Sequence, residues 1–305
     1  MFRSTSLVAP AARSEFEDVA RIGYTPHYHV NAGLGGGAWA GNKGDSAEKR
    51  SPPRNPQRLM LDPTPPTCAL CGRPLLATYH IDYWGVTTCV EHARQYPHCE
   101  YCGRLTAPPP GRSRRRAGSV TCENCLAQAI DAVEQARPIL EELAQWAAGQ
   151  GVALSHWRFK LTLPERAAFA RLAGRRPGRL GLTLSARTTH RDRPIRAVVQ
   201  QVAILSGLPR PLFEGVGLHE LAHVWLAQQT LLGLPEKEEE GFCELLAHRY
   251  YVERATHETL FYARRIAVNS DPIYGDGFRH LHHLVERVGF PSLLHTLRAK
   301  GRLPE

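Results

Sequence analysis

Residues His219-Glu220-Leu221-Ala222-His223 set two imidazoles four positions apart, with a carboxylate beside the first. On a helix, positions four apart lie only about 40° apart around the axis, so both rings can reach one metal ion. Glu220 would then stand next to that ion. It could take a proton from a water molecule and pass it to a leaving amine, while the metal polarises a carbonyl. A third ligand is expected in the acidic run Glu238-Glu239-Glu240-Gly241-Phe242-Cys243-Glu244. A second constellation lies upstream, as Cys68-x2-Cys71, Cys89-x2-His92, Cys99-x2-Cys102 and Cys122-x2-Cys125. An x-x gap lets two side chains of one tight turn reach the same ion, and zinc favours four tetrahedral S/N donors in closed structural sites. The spacing therefore predicts two structural zincs, one held by Cys68, Cys71, Cys89 and His92, the other by Cys99, Cys102, Cys122 and Cys125. His80 and His98 are alternatives to His92, which the spacing from Cys89 favours. Together with the ion of the His-Glu-x-x-His segment, three zinc ions are expected.

These residues need elements to hold them. The stretch from about 126 to 149 reads as a helix, kinked or split by Pro138 and closed by Gly149 and Gly151. Alternating stretches at Trp157–Leu163, Leu180–Ser185 and Ala197–Leu205 read as strands, with a short helix opened by Pro164 between the first two. From Pro211 the pattern is helical: Pro211–Gln229, Glu236–Tyr251, His257–Val268, Phe278–Val288 and Pro291–Ala299. Strands first and helices after give an α+β order. The first helix of this series carries both histidines, with Leu218, Leu221, Ala222, Val224 and Trp225 embedding it. Glu236, Glu238 and Glu239 read as N-terminal charges on the next helix, where the dipole favours acids. Glu244 is placed to accept a hydrogen bond from the outer nitrogen of a ligand histidine. Cys243 reads as a small buried core residue. A hydrolytic site also needs a donor for a developing oxyanion. The segment from Asp271 to His280 offers Tyr274 first and His280 second, whereas His282 and His283 read as surface residues.

The chain has 305 residues with a net charge of +9, and 43% of it is hydrophobic. That excludes a wholly disordered or collagen-like protein. No run approaches the roughly 18 to 20 apolar residues of a membrane span, and the short apolar start followed by Glu15, Glu17 and Asp18 does not read as a signal peptide. Cytoplasmic location without membrane association is the expectation, and paired cysteines in that setting read as metal ligands rather than disulfides. Residues 1–63 are rich in Gly and Pro and show no lasting apolar period, so they are expected to be unstructured. Met60 follows Met1 as the second and last methionine and is expected to serve as a start site in some contexts. Between Arg158 and Arg196, eleven Lys/Arg face two acids, Glu165 and Asp192. This segment reads as a solvated basic face, or as one that meets an acidic protein or nucleic acid. No helix-turn-helix pattern supports the nucleic-acid option. The domain division expected is 1–63 unstructured, 64–127 a double zinc module, and 128–305 a metallopeptidase domain.

Two resemblances follow from these motifs. The tandem zinc order resembles a LIM domain, with Cys89-x2-His92 where that family has His-x2-Cys and a six-residue linker instead of two. The segments AILSGLPRPLFEGVGLHELAHVWL, EEEGFCELLAH and YGDGFR resemble the peptidase part of the LIM-domain zinc metallopeptidases that regulate plant organ size, over about residues 66 to 300. The short form and high Arg/Pro content fit a bacterial relative. The likeness implies a gluzincin-type fold, a small sheet followed by helices, in which the third ligand comes from the helix after the histidines, often in a Glu-Gly-Phe setting. That places Glu240, rather than Glu239, beside His219 and His223, with Glu220 as the base. In that family ubiquitylation activates the peptidase, but residues 1–63 show no acidic amphipathic helix of the kind expected to bind ubiquitin. The function expected is a zinc endopeptidase acting on protein substrates, with the LIM-like module recruiting a protein partner or restraining the site. A non-catalytic zinc adaptor that binds protein or nucleic acid is the rival.

Overall fold

A computed structural model describes residues 28–30, 65–106, 120–174, 178–190 and 193–304. The expectations for the rest of residues 1–63, Met60 included, lie outside the described residues. The chain divides between Val120 and Thr121 into two compact units, seven residues before the boundary expected from sequence.

In the first unit, β1 (Tyr28–Val30), β2 (Tyr79–Ile81) and β3 (Thr87–Cys89) form an antiparallel sheet in that order, and α1 (Val90–Gln95) follows β3 directly. β1 lies within the stretch expected to be unstructured; its backbone pairs with β2, a partner some fifty residues away that no local pattern announces. The dominant local feature is a turn made twice. Cys68 N–H bonds Arg73 O at 2.9 Å and Gly72 N–H bonds Cys68 O at 2.8 Å; Cys99 N–H bonds Arg104 O at 2.8 Å and Gly103 N–H bonds Cys99 O at 3.0 Å. Gly72 and Gly103 adopt φ of +70° and +71°, a region that costs a Cβ-bearing residue free energy. The Cys-x-x-Cys-Gly spelling at both places thus has a conformational reason: the glycine takes the positive φ that reverses the chain after the second cysteine.

The second unit mixes helices with small sheets. α2 (Glu123–Leu126) and β4 (Ala129–Ile130) precede α3 (Val133–Gly149), which carries Pro138 in its interior without a break. Where a helix from about 126 to 149, kinked or split at Pro138, was expected, the chain leaves the helical path at 129–130 to pair with a strand near residue 208, and α3 runs on through Pro138. β5 (Lys160–Thr162), α4 (Arg166–Ala173), β6 (Gly181–His190) and β7 (Arg193–Ile204) follow, with β8 (Leu208–Pro209) as the partner of β4. The three-stranded sheet has the order β5-β7-β6, parallel on the β5 side and antiparallel on the β6 side, so β6 is an edge. Then come α5 (Arg210–Gln228), α6 (Glu236–Arg254), α7 (His257–Ala267), α8 (Tyr274–Val288) and α9 (Phe290–Lys300).

α5 is the centre of this unit. Phe213, Leu218, Leu221, Ala222, Val224, Trp225 and Leu226 are all buried to 1% exposure or less. A helix apolar on nearly every side is a core helix, and each large buried side chain contributes about 1.5–3 kcal/mol. Fully buried Val202, Ala203 and Ile204 of β7 line the neighbouring sheet. Trp225 stacks on Phe242 of α6, which stacks in turn on Phe290 of α9. α6 and α8 cross where Gly241 meets Gly277: a Cβ built on Gly241 would lie 2.5 Å from the Gly277 carbonyl carbon. That contact brings two helix backbones close together and carries the first turn of α8 to the middle of α6. Among the described residues no helix is long and apolar enough to cross a membrane.

Candidate metal centre

α5 points His219 and His223 at α6, with ring centroids 5.0 Å apart. Glu240 reaches back from α6. Its Oε2 lies 3.0 Å from His219 Nε2 and 3.3 Å from His223 Nε2. Four donors at about 2.1 Å from a tetrahedral zinc sit about 3.4 Å from one another, so these separations match the edges of a metal polyhedron. The outer ring nitrogens also have partners. His219 Nδ1 lies 3.4 Å from Glu244 Oε1, and His223 Nδ1 lies 3.1 Å from Glu239 Oε1. Carboxylates on the outer nitrogens fix the tautomer that leaves Nε2 a free electron pair. Three carboxylates around two imidazoles form a strongly negative, half-buried set, and a divalent cation at the point where Nε2, Nε2 and Oε2 converge would balance it. The residues present therefore fit a zinc ion.

The electrostatics of these groups reflect the same crowding. Burial by itself would lower both histidines, but Cys243 and the surrounding carboxylates outweigh it and carry them well above the ordinary value. Burial would raise the Glu240 carboxyl, yet hydrogen bonds and charge from His219 and His223 hold it well below the usual carboxylate range.

Glu220 is buried on the neighbouring face of α5, at 3% exposure. Thr183 Oγ1 on β6 donates to Glu220 Oε2 at 2.6 Å. Gly181, at the start of the same strand, leaves room for the other carboxylate oxygen; a Cβ there would collide with it. Tyr274 enters as the first residue of α8, because Asp271 Oδ1 accepts from the backbone N–H groups of Ile273 and Tyr274 at 2.8 and 2.9 Å. Its hydroxyl donates to Glu240 Oε1 at 3.2 Å. Burial, reinforced by the Glu240 charge, pushes the Tyr274 phenol up to about 12, so it stays a donor at neutral pH.

His219, Glu220, His223, Glu240, Glu244 and Tyr274 thus come together. His280 does not: it is exposed on α8. His283 is exposed as expected, while His282 is half-buried against Phe278 and His248. Four contacts escaped the sequence reading, the first being Thr183 with Glu220. Glu239 reaches His223 in addition to lying in the first turn of α6. The signal was helical spacing, since Glu239 and Cys243, like Glu240 and Glu244, are four apart. Arg179 precedes β6, and its NH2 lies 3.5 Å from Glu240 Oε1; no local pattern distinguishes it from its arginine neighbours. Cys243 is fully buried as expected, but its sulfur and one ring nitrogen from each of His219 and His223 all lie within 4.8 Å of one another. Its surroundings are imidazole as well as apolar core.

Within the first unit, donor atoms of Cys68, Cys71, Cys89 and His92 lie within 4.8 Å of one another, and Cys99 and Cys102 share one turn; in the second unit Cys122 precedes α2 and Cys125 lies within it. His92 Nδ1 is 3.4 Å from Cys68 Sγ and 3.2 Å from Cys89 Sγ. His98 instead approaches Gly103 O at 2.9 Å. Burial would raise the Cys68 thiol, but hydrogen bonds from backbone N–H groups and from His92 bring it down to about 6, which favours the metal-binding thiolate. The set of Cys68, Cys71, Cys89 and His92 could hold zinc.

Comparison with known proteins agrees with this layout. A family profile described as "DA1-like: Protein DA1" matches residues 161–260, the span from β5 into α7 that holds every residue of the centre except Tyr274. Over 304 aligned residues the chain is 25% identical to Protein DA1 of Arabidopsis thaliana, covering 78% of this chain and 57% of that protein. It is 25% identical to Protein DA1-related 1 of the same plant, covering 73% and 51%. Identity to the LIM domain-containing protein HDR3 of Oryza sativa subsp. japonica is 23%, covering 78% and 62%. The chain therefore spans 51 to 62% of the length of these relatives. No solved structure was found to match it. Its likeness, which in the family profile spans β5 into α7, is to the DA1-like family at low identity.

Proposed function

We propose that this chain is a zinc-dependent endopeptidase of the gluzincin type, acting on protein substrates, with the LIM-like cysteine module serving recruitment or regulation. The observation that carries the reading is the convergence of His219 Nε2, His223 Nε2 and Glu240 Oε2, with the Glu220 carboxylate on the same helix. Zinc held there would polarise a peptide carbonyl and lower the pKa of water to about 7. Glu220 moves the proton, accepting it from water on one carboxylate oxygen and delivering it to the leaving amine nitrogen. Thr183 fixes the other oxygen and so orients the carboxylate. Tyr274 and Arg179 both lie at Glu240 Oε1 and would serve as donors to a developing oxyanion. Glu239 and Glu244 hold the imidazoles in their liganding tautomer.

Two structural zincs in the cysteine clusters and one ion at His219, His223 and Glu240 complete the proposal, together with a cytoplasmic location, a protein partner for the LIM-like module and relatedness to bacterial members of the family. Nucleic acid is a weaker candidate partner. The same centre would suit a non-catalytic adaptor if Cys243, which lies beside both imidazoles, closed the remaining coordination place permanently. Glu220→Gln decides between them. The variant should retain three zincs per chain and lose cleavage, read as the disappearance of new protein N-termini in cells carrying it compared with the wild type. Two zincs or fewer in the wild type, or equal cleavage by Glu220→Gln, refutes the proposal.

A further inference from the structure

The thiol of Cys243 is not used by the chemistry above, yet it lies in the same knot of side chains. It is fully buried, at 0% exposure, on the face of α6 that carries Glu240 one turn earlier. Its sulfur and a ring nitrogen from each of His219 and His223 lie mutually within 4.8 Å. Sulfur bound to zinc at about 2.3 Å sits about 3.6 Å from an imidazole nitrogen bound to the same ion. The sulfur thus lies within about 1.2 Å of that separation from one nitrogen of each ring. An alanine or serine would fill a purely structural pocket about as well; thiolate is the donor that zinc prefers beside imidazole.

We propose that Cys243 is a resting-state ligand of the metal held by His219, His223 and Glu240, giving a closed two-nitrogen, one-oxygen, one-sulfur set. The inference rests on the metal reading above and adds a regulatory state to it. Forming the sulfur–metal bond releases the thiol proton to solvent. Releasing the bond returns a proton to the sulfur and frees the coordination place that hydrolysis needs. A site built this way is off until the thiolate leaves, and it favours soft, sulfur-seeking cations over hard ones.

The test uses the full chain and cobalt(II) as the probe, exchanged for zinc, with metal content measured alongside absorption. Wild type minus Cys243→Ser, and wild type minus Cys243→Ala, should each leave a near-ultraviolet sulfur-to-cobalt charge-transfer band. The two cysteine clusters are common to all forms and cancel in the difference. His219→Ala keeps the thiol but breaks the site, so its spectrum should lack the same band even if one Cys243 variant folds poorly. Cobalt affinity at this site should fall by about tenfold or more in Cys243→Ala, and cleavage per bound metal should exceed that of the wild type. Equal cobalt occupancy with a flat difference spectrum overturns the ligand role of Cys243 and leaves the peptidase reading standing. Absence of cobalt and zinc from this site in the wild type overturns both.

Discussion

Replacing Gly241 with alanine probes the contact that joins the two halves of the centre. A Cβ at this position would lie 2.5 Å from the carbonyl carbon, 2.6 Å from the carbonyl oxygen and 2.9 Å from the Cα of Gly277. Carbon atoms rest comfortably at about 3.5 Å, so the crossing must open by about 1 Å. Every atom in the way is backbone, which cannot rotate aside. Overpacking of this kind costs about 1–3 kcal/mol. Alanine in a helix interior returns about 0.5–1 kcal/mol through its better propensity. The net loss is therefore about 1–2 kcal/mol, or a fall of about 2–8 °C in Tm for a domain of this size. Opening the crossing moves α8 away from α6, and with it Tyr274 from Glu240, whose hydroxyl-to-carboxylate distance is 3.2 Å. Zinc bound by α5 and Glu240 should persist, while cleavage falls by up to about 100-fold, the cost of a misplacement near 1 Å. Thermal unfolding, metal analysis and a cleavage assay on one preparation read all three. An unchanged or raised Tm with full cleavage would show that helix propensity outweighs the contact and that the glycine crossing does not position Tyr274.

Other contacts carry outcomes of their own. Gly181→Ala should push the Glu220 carboxylate off the β6 edge and lower cleavage with zinc content intact; equal activity would mean that Glu220 does not need that position. Glu239→Gln and Glu244→Gln should each weaken zinc at the histidine site by about 10–100-fold, read by chelator competition, and no change in either would remove these carboxylates from the support of the rings. His248 titrates at about 4 because burial, then His282 and Arg249, disfavour its charged form. Its folded pKa lies below the ordinary 6.5, so the unfolded chain takes up the proton first, and its stabilising contribution is whole above 6.5 and lost as pH falls toward 4. Because the ring is partly exposed, the effect should be about 1 kcal/mol. His248→Gln should flatten the acid limb of the stability curve, and an unaltered limb would exclude His248 as its source.

The parts of the molecule that could be read from the chain alone are those whose partners lie within one turn of sequence. The repeated Cys-x-x-Cys-Gly turn closes on itself through hydrogen bonds spanning four and five residues, so its spelling carries its geometry. The His-Glu-x-x-His spacing needs only helical periodicity to put both rings on one face. The run of helices from α5 to α9 was similarly legible because each carries its own apolar residues within a few turns, although α8 begins at Tyr274, four residues before its expected start, under the cap of Asp271.

Tertiary structure decided which neighbours surround the centre. Thr183 orients Glu220 from 37 residues away, and Arg179 meets Glu240 from 61 residues away. Glu239 and Cys243 could be assigned to the first turn and to the core from sequence, and both assignments are met, but their contact with His223 depends on how α6 lies against α5. Pairing of β1 with β2, and of β4 with β8, likewise brings together segments with no shared local signal. Local spelling dictates the donors and the turns or helix faces that present them. Which carboxylate, phenol, guanidinium or thiol finally stands beside those donors depends on how closely distant backbones approach, and at Gly241 and Gly277 that approach is set by the absence of side chains.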